Sequence, residues 1–577
     1  MARSYRPDPR GAGTLQPMPD VDPDLILHAG LVRTMGPAGS RATAMAIAGD
    51  RILALGGDRD VLGLRTRRTR VIDLRGRTVL PGFTDAHTHP ISGGLRHVEC
   101  DLDRFDTVEE HLAAVTAYAT SHAALEWIVG GGWSMETFPG GIPRRELLDG
   151  VVPDRPIFLT NRDGHGAWVN SRALEMAGIT AETPDPPTGR IERDPDGTPV
   201  GTLQEAAMEL VRTLIPNHAL AVLERAIVDA QAELHALGIT GWQDANVDPD
   251  QVDAYRAVAA SGALTARVVL SMGAREVGGF GGIDQLVAIR DAVAAAANSA
   301  APGSSGPARL EATAIKFFVD GVLENRTGAL LDPYLDVHGE PTGGIGMTTL
   351  EPSELARLSV ALDRRGFQLH YHAIGDRAVR EALDAIEAAR TANGVRDARH
   401  HIAHIQLIHP DDLPRFAALG AVANAQPLWA VHEAQMDQLT IPFLGPERSQ
   451  WQYPFGSLLR AGARLAFGSD WTVSTANPFL QIEVAVRRIW PEHRGSTPFL
   501  PAERITLDQA LTAATVGSAF VNRQDEAGWL GVGRLADLAI LDRNIDASDV
   551  EPIGDTSVVG TVVGGEFVFE APALEAG

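Results

Sequence analysis

Cysteine is almost missing from this chain. Its 577 residues include one, Cys100, so no internal disulfide can form and the fold must be held by burial and hydrogen bonding. Positive charge is also scarce: 50 Lys plus Arg stand against 74 Asp plus Glu, and the net charge of −24 excludes nucleic acid as the default partner. No apolar run reaches the roughly 18 residues of a membrane span, and the opening MARSYRPDPRGAGTLQPMPD carries no apolar leader segment. A cytoplasmic protein with neither a membrane nor a nucleic acid as partner is expected, with residues 1–22 as a disordered tail that has almost nothing to bury.

Lysine is as scarce as cysteine. Lys316 is the only one, and every other basic residue is arginine. A coding preference for arginine explains the rest but not the exception. A buried lysine can lose its proton and act as a nucleophile, whereas a guanidinium keeps its charge. The alternative is a chance survivor on the surface, but the apolar run ATAIKFFVD around Lys316 reads as a buried strand.

What is present falls into three textures. Short apolar strands with turns fill residues 23–80 and return after a helix-like stretch near 506–517, so 23–80 plus 505–577 are expected to form one β-sandwich domain. Between them, strands alternate with amphipathic helices, the pattern of a parallel sheet with crossover helices. Strands are expected at TVLPGFTDAHTH, ITGWQDA, LTARVVLSM, ATAIKFFVD, FQLHYHAI, RHHIAHIQ, AVANAQPL and ARLAFGSD. Eight such units imply a closed barrel over residues 81–504, with reactive groups at the carboxyl ends of the strands. An open doubly wound sheet would want a Gly-rich phosphate loop after an early strand, and none is present. About 150 residues separate the first two strands, far more than a crossover needs. Residues from about 98 to 215 therefore read as an inserted lid, and VAAAANSAAPGSSGPA at 293–308 as a flexible surface connection.

His87 and His89 lie two apart at the end of the first strand and so face one side. His372, His404 and Asp470 lie at or near the ends of later strands, and Lys316 lies within the fourth. A barrel gathers these positions around one mouth. Four imidazoles, a carboxylate and a modifiable lysine suit two borderline divalent ions, zinc first among them. A neutral lysine can also take up carbon dioxide, giving a carbamate able to bridge two metals, which accounts for the lone Lys316.

The motifs PGFTDAHTH, LHYHAIGDRAV, LAFGSDWTV and GRLADLAILD, in the order His-X-His, Lys, His, His, Asp, resemble the amidohydrolase superfamily. GGGW, DGHGAWVNSRAL, IKFFVDG and HAIGDRAV look more narrowly like amidohydrolase family 3, and DGVLENRTGALLDPY like its N-substituted formamide deformylase branch. The resemblance spans about residues 23–570. It implies an α/β fold, a distorted TIM barrel with a flanking β-sandwich. It also implies a metal centre at His87, His89, carboxylated Lys316, His372, His404 and Asp470, one or two Zn²⁺ ions as cofactor, and a homo-oligomer. Two positions depart from the pattern, Ala403 where a Glu is expected and Thr472 where a Pro commonly stands; neither is a metal ligand.

The expected chemistry is hydrolysis of an amide-type C–N bond in a small, partly apolar N-formyl or N-acyl amide. Metal lowers the pKa of bound water from about 15.7 towards 7, and Asp470 shuttles the proton to the leaving nitrogen. A lyase, decarboxylase or isomerase on the same barrel, or a non-catalytic binding protein, are the alternatives. His165, in a Gly-flanked loop, could hydrogen-bond the substrate carbonyl or be structural. Trp133 and Trp168 could line the substrate pocket or pack the insertion. Asp320 and Glu324 could bind substrate, orient Lys316 or satisfy loop backbone groups. Glu205 and Asp244 are weaker candidates, His370 reads as support beneath His372, and Cys100 as a buried thiol.

Overall fold

A computed structural model describes residues 21–37, 39–274, 282–298, 309–546 and 552–575. The expected tail therefore lies outside the described residues up to position 20, as does the surface connection over 299–308. Residues 293–298 complete the helix Ile283–Asn298 instead, since the alanine run AVAAAAN favours helix strongly.

Eight parallel strands form one sheet in chain order: β1 (Phe83–Thr88), β2 (Ile239–Val247), β3 (Arg267–Gly273), β4 (Leu310–Phe318), β5 (Gln368–Ala373), β6 (His401–His404), β7 (Val422–Ala425) and β8 (Arg464–Phe467). The backbone just past β8 meets β1 again, where Asp470 N–H donates to the His87 carbonyl at 2.8 Å and His89 N–H to the Trp471 carbonyl at 2.7 Å. This is the α/β barrel. The crossover helices begin on sound caps: Asp248 and Gln251 form a capping box ahead of Pro249–Ala260, and Pro352 opens Pro352–Arg364. Their apolar faces, among them Leu355, Leu358 and Leu362, join the strand side chains Ile315, Leu369 and Tyr371 in the largest core.

The stretch TVLPGFTDAHTH is not one strand, as its apolar pattern suggested, but two. It breaks at Gly82, where a side chain would stand 2.2 Å from Thr240. Thr78–Pro81 pairs with Leu31–Arg33 and Leu538–Leu541 in a six-stranded sheet built from both ends of the chain, and Phe83 onward is β1. A four-stranded sheet of Leu25–His28, Ala44–Ala48, Arg51–Gly56 and Arg70–Asp73 lies beside it. Leu27, Met45 and Ile47 from one sheet and Val79, Leu538 and Val562 from the other share a core. The helical segment 507–521 packs instead on the barrel, with Ala510, Leu511 and Ala513 in the barrel core.

The insertion between β1 and β2 carries a fourth, mixed sheet of six strands. Its members include Ile128–Trp133, Ile157–Asn161, Gly166–Val169 and Pro199–Glu205. Two separate apolar cores lie on it, so it is a folded module in its own right rather than an irregular flap. Among the described residues no helix is long and apolar enough to cross a membrane.

Candidate metal centre

The barrel brings all six expected ligands to one mouth. His87 Nε2 and His89 Nε2 lie 3.3 Å and 3.1 Å from Asp470 Oδ1, and ligand atoms of these three residues all lie within 4.8 Å of one another. His404 Nδ1 is 3.8 Å from Asp470 Oδ2. Lys316 Nζ is 3.4 Å from His87 Nε2, and the ring centres of His372 and His404 are 4.4 Å apart. His404 and Asp470 have φ of 75° and 52°, left-handed conformations that a non-glycine residue adopts at a cost of about 1 kcal/mol or more. Such strain gathers where side-chain aim matters more than backbone comfort.

The buried polar atoms here are not closed off by protein. Asp470 Oδ1 and His404 Nδ1 are buried and form no hydrogen bond, although each faces groups of complementary chemistry. A divalent cation resolves that: nitrogen and carboxylate donors that cannot satisfy one another can all satisfy one ion. Electrostatics agree. Burial alone would raise the Asp470 carboxyl, yet the imidazoles of His87, His89 and His404 hold it well below the usual carboxylate range. Burial, then the Lys316 charge, lowers His87 to about 3, and burial together with neighbouring imidazoles holds His372 and His404 well below 6.5. These imidazoles are therefore neutral, the form in which they bind metal. Burial also lowers the Lys316 ammonium to about 7, against the pull of Asp470.

A layer of supporting bonds fixes the rings. His370 Nε2 meets His87 Nδ1 at 2.9 Å, which leaves Nε2 as the outward nitrogen of His87. Asp85 Oδ1 accepts the backbone N–H groups of His87 and Ser469, and burial pushes this carboxyl up to about 7. His372 Nε2–H donates to the Gly321 carbonyl at 3.2 Å, and Gln426 Oε1 accepts the His404 N–H at 2.7 Å. Trp429 stacks flat on the His404 ring. Of these supports, only His370 was expected. Asp85 stands two residues before His87 in the motif, the one local signal; Gln426 and Ser469 reach the site only through folding.

His165 comes from the inserted module, and its ring centre lies 4.9 Å from that of His372. Its Nδ1–H donates to Glu205, 3.1 Å and 3.0 Å from the two carboxylate oxygens. Burial works to lower the His165 pKa, but the Glu205 carboxylate raises it to about 9. Asp320 is committed to backbone, accepting N–H groups from Ala329, Ile374 and Gly375, with His372 Nε2 at 3.7 Å; burial pushes it up to about 8 against those three donors. Glu324 accepts from Thr440 and borders a cavity of about 360 Å³ between the module and the barrel.

The two tryptophans correct an expectation. Trp133 and Trp168 are wholly buried in the module's core, edge to face with Phe138, and do not border that cavity. Their indole N–H groups donate to the carbonyls of Leu159 and Arg144, so each is a packing residue with its one polar atom already satisfied. Asp244, also raised to about 6 by burial, bonds the Tyr255 hydroxyl.

The model of the amidohydrolase family, Amidohydro_3, matches residues 70–569. The chain belongs to this family. The amidohydrolase is 32% identical to Protein LONG AFTER FAR-RED 3 of Arabidopsis thaliana, over 96% of this chain and 93% of that one. It is 28% identical to the N-substituted formamide deformylase of Arthrobacter pascens, over 95% and 98%. The crystal structure of an uncharacterized metal-dependent hydrolase from Pyrococcus furiosus superposes with a TM-score of 0.66 at 26% identity, over 90% of this chain and 99% of that one. The chain is thus a member of a hydrolase family, and its barrel is of the TIM type.

Proposed function

We propose that the protein hydrolyses an amide-type C–N bond, that of an N-formyl or N-acyl amide on a small, partly apolar molecule. The observation that carries this reading is the convergence of His87, His89 and His404 on a buried Asp470 carboxylate with an unpartnered oxygen, with Lys316 beside His87. Kinship with a protein named N-substituted formamide deformylase supports the substrate class.

The donor set fits one or two zinc-class ions held by His87, His89, His372, His404 and Asp470, with Lys316 as a carbamate completing the set. Bound there, a divalent ion would polarise a carbonyl oxygen and make a water acidic enough to attack near neutral pH. Asp470 takes the proton of the attacking water and returns it to the leaving nitrogen, so an amine departs rather than an amide anion. His165 donates a hydrogen bond to the carbonyl oxygen as negative charge gathers on it. The Lys316 amine, lowered to about 7, is partly neutral at cellular pH and can add carbon dioxide. The cavity of about 360 Å³ seats the nitrogen substituent, its wall mixing Met135 and Ile142 with Gln204 and Glu324.

The test is elemental analysis of protein purified without added metal, with gentle intact-mass measurement for a carbon dioxide adduct, then a panel of N-alkyl formamides hydrolysed in oxygen-18 water. Near two zinc ions per chain, an adduct lost in Lys316→Arg, and solvent oxygen in the released formate are expected. A protein without metal after reconstitution, or turnover without solvent oxygen, overturns the reading.

A further inference from the structure

Glu205 is half-buried at the seam between module and barrel, and neither its chemistry nor its strain is explained by packing. Its backbone has φ 51° and ψ −127°, outside every region an ordinary residue prefers. Both carboxylate oxygens meet His165 Nδ1, and Oε1 also accepts the hydroxyl of Thr327 at 2.7 Å. Thr327 lies on the loop that follows β4. The same carboxylate lies against Gly321, where any side chain would come within 2.1 Å of Oε1 and 2.0 Å of the Thr327 hydroxyl. The Gly321 carbonyl in turn accepts from His372. One carboxylate thus joins a histidine of the module, a threonine and a glycine of the barrel loop, and, through that glycine, a histidine of the metal centre.

We propose that Glu205 is a positioning residue: by holding Nδ1–H of His165 it fixes the ring so that Nε2 faces the reacting carbonyl, and it locks the module to the barrel in the one arrangement where this is so. Nε2 of His165 has no hydrogen bond among the described residues, which leaves it available. The inserted module is then part of the reaction centre, not only its cover. The inference rests on the hydrolase reading above for what His165 does, but not for where it points.

The experiment uses the zinc-loaded protein. Downfield proton NMR reads the carboxylate-bound imidazole N–H without any substrate; kcat and KM are read on the N-alkyl formamide found by the panel. Glu205→Gln and His165→Gln should each remove the same downfield resonance and each lower kcat by about 10- to 100-fold, with KM and zinc content little changed. The double variant should be no worse than His165→Gln alone, and Glu205→Asp should restore part of the rate. A resonance that survives Glu205→Gln, or losses that multiply in the double variant, overturns the proposal. If Glu205→Gln does not fold, Thr327→Val decides: a shifted resonance and a several-fold loss in kcat support it, and no change in either overturns it. If the wild-type protein hydrolyses no formamide, the substrate reading fails while the resonance still tests the positioning.

Discussion

The metal centre at the barrel's mouth and the His235 and Arg267–Asp537 groups at its foot bury polar atoms in opposite ways. At the mouth, His404 Nδ1 and Asp470 Oδ1 are buried without a hydrogen bond and the backbone is bent into positive φ to hold them. Nearer the foot, His401 Nε2 at the start of β6 is also without a hydrogen bond, but two groups between barrel and sandwich are closed. His235 Nδ1–H donates to the Ile239 carbonyl at 2.9 Å while Nε2 meets the Thr265 hydroxyl at 2.8 Å. Arg267 forms a two-point pair with Asp537, which also accepts the Gly564 N–H. The lesson is that a histidine's burial says little about its task; what its nitrogens are bonded to says nearly everything. Open valences at the mouth await a ligand, and closed ones at the foot hold the sandwich sheets to the barrel.

If this contrast is right, mouth and foot respond differently to substitution. The largest effect belongs to Asp470→Asn: kcat falls about 10³-fold or more, while denaturant unfolding of the metal-free protein moves less than for the foot substitution below, because Oδ1 has imidazole contacts but no hydrogen bond to lose. A metal-free Asp470→Asn protein destabilised by several kcal/mol breaks the comparison. Asp537→Ala should do the reverse, costing about 3–5 kcal/mol in denaturant unfolding by leaving the Arg267 guanidinium buried and unpaired, with kcat of the folded fraction unchanged. Trp168→Ala should cost about 3 kcal/mol through the cavity it leaves in the module, and an unaltered KM would separate packing from substrate contact.

The smallest effect depends on pH. Burial lowers His235 to about 4, below its ordinary 6.5. A depressed histidine favours the folded state fully above pH 6.5, and that contribution is lost as pH falls towards 4, because the unfolded chain binds the proton more readily. His235→Gln, which keeps a polar side chain but no charge, should therefore gain about 2 kcal/mol relative to wild type between pH 7.5 and pH 5, from roughly 1.5 units at 1.36 kcal/mol each. A stability gap that does not change with pH would show that His235 is not held neutral.

Much of this was legible in the letters. The barrel strands announce themselves because each is a short apolar run ending in a polar or glycine signal, and His87, Lys316, His372, His404 and Asp470 sit within three residues of those ends. The break at Gly82 was hidden, since nothing in VLPGF distinguishes a continuous strand from two that share a corner until Thr240 is placed against the glycine. Asp85, Gln426 and Glu205 were hard for the same reason: their partners at Ser469, His404 and Thr327 are set by tertiary contact, with separations of 384, 22 and 122 residues. Trp133 and Trp168 misled because an indole in a Gly-rich insertion suits a pocket wall and a module core equally well, and only the satisfied N–H groups tell them apart.

The segment Thr78–Thr88 belongs to two bodies at once, passing from the terminal sheet into β1 and the His87–His89 pair. Its partner Leu538–Leu541 is made about 450 residues later, tens of seconds into synthesis at about 5–20 residues per second. Until then the edge of Thr78–Pro81 is unpaired on that side, and the strand that carries two metal ligands hangs from an unfinished sheet. The ribosome therefore sets the order of events: the barrel can begin to assemble early, but its metal centre gains a firm footing only when the last strands of the sandwich close beneath it.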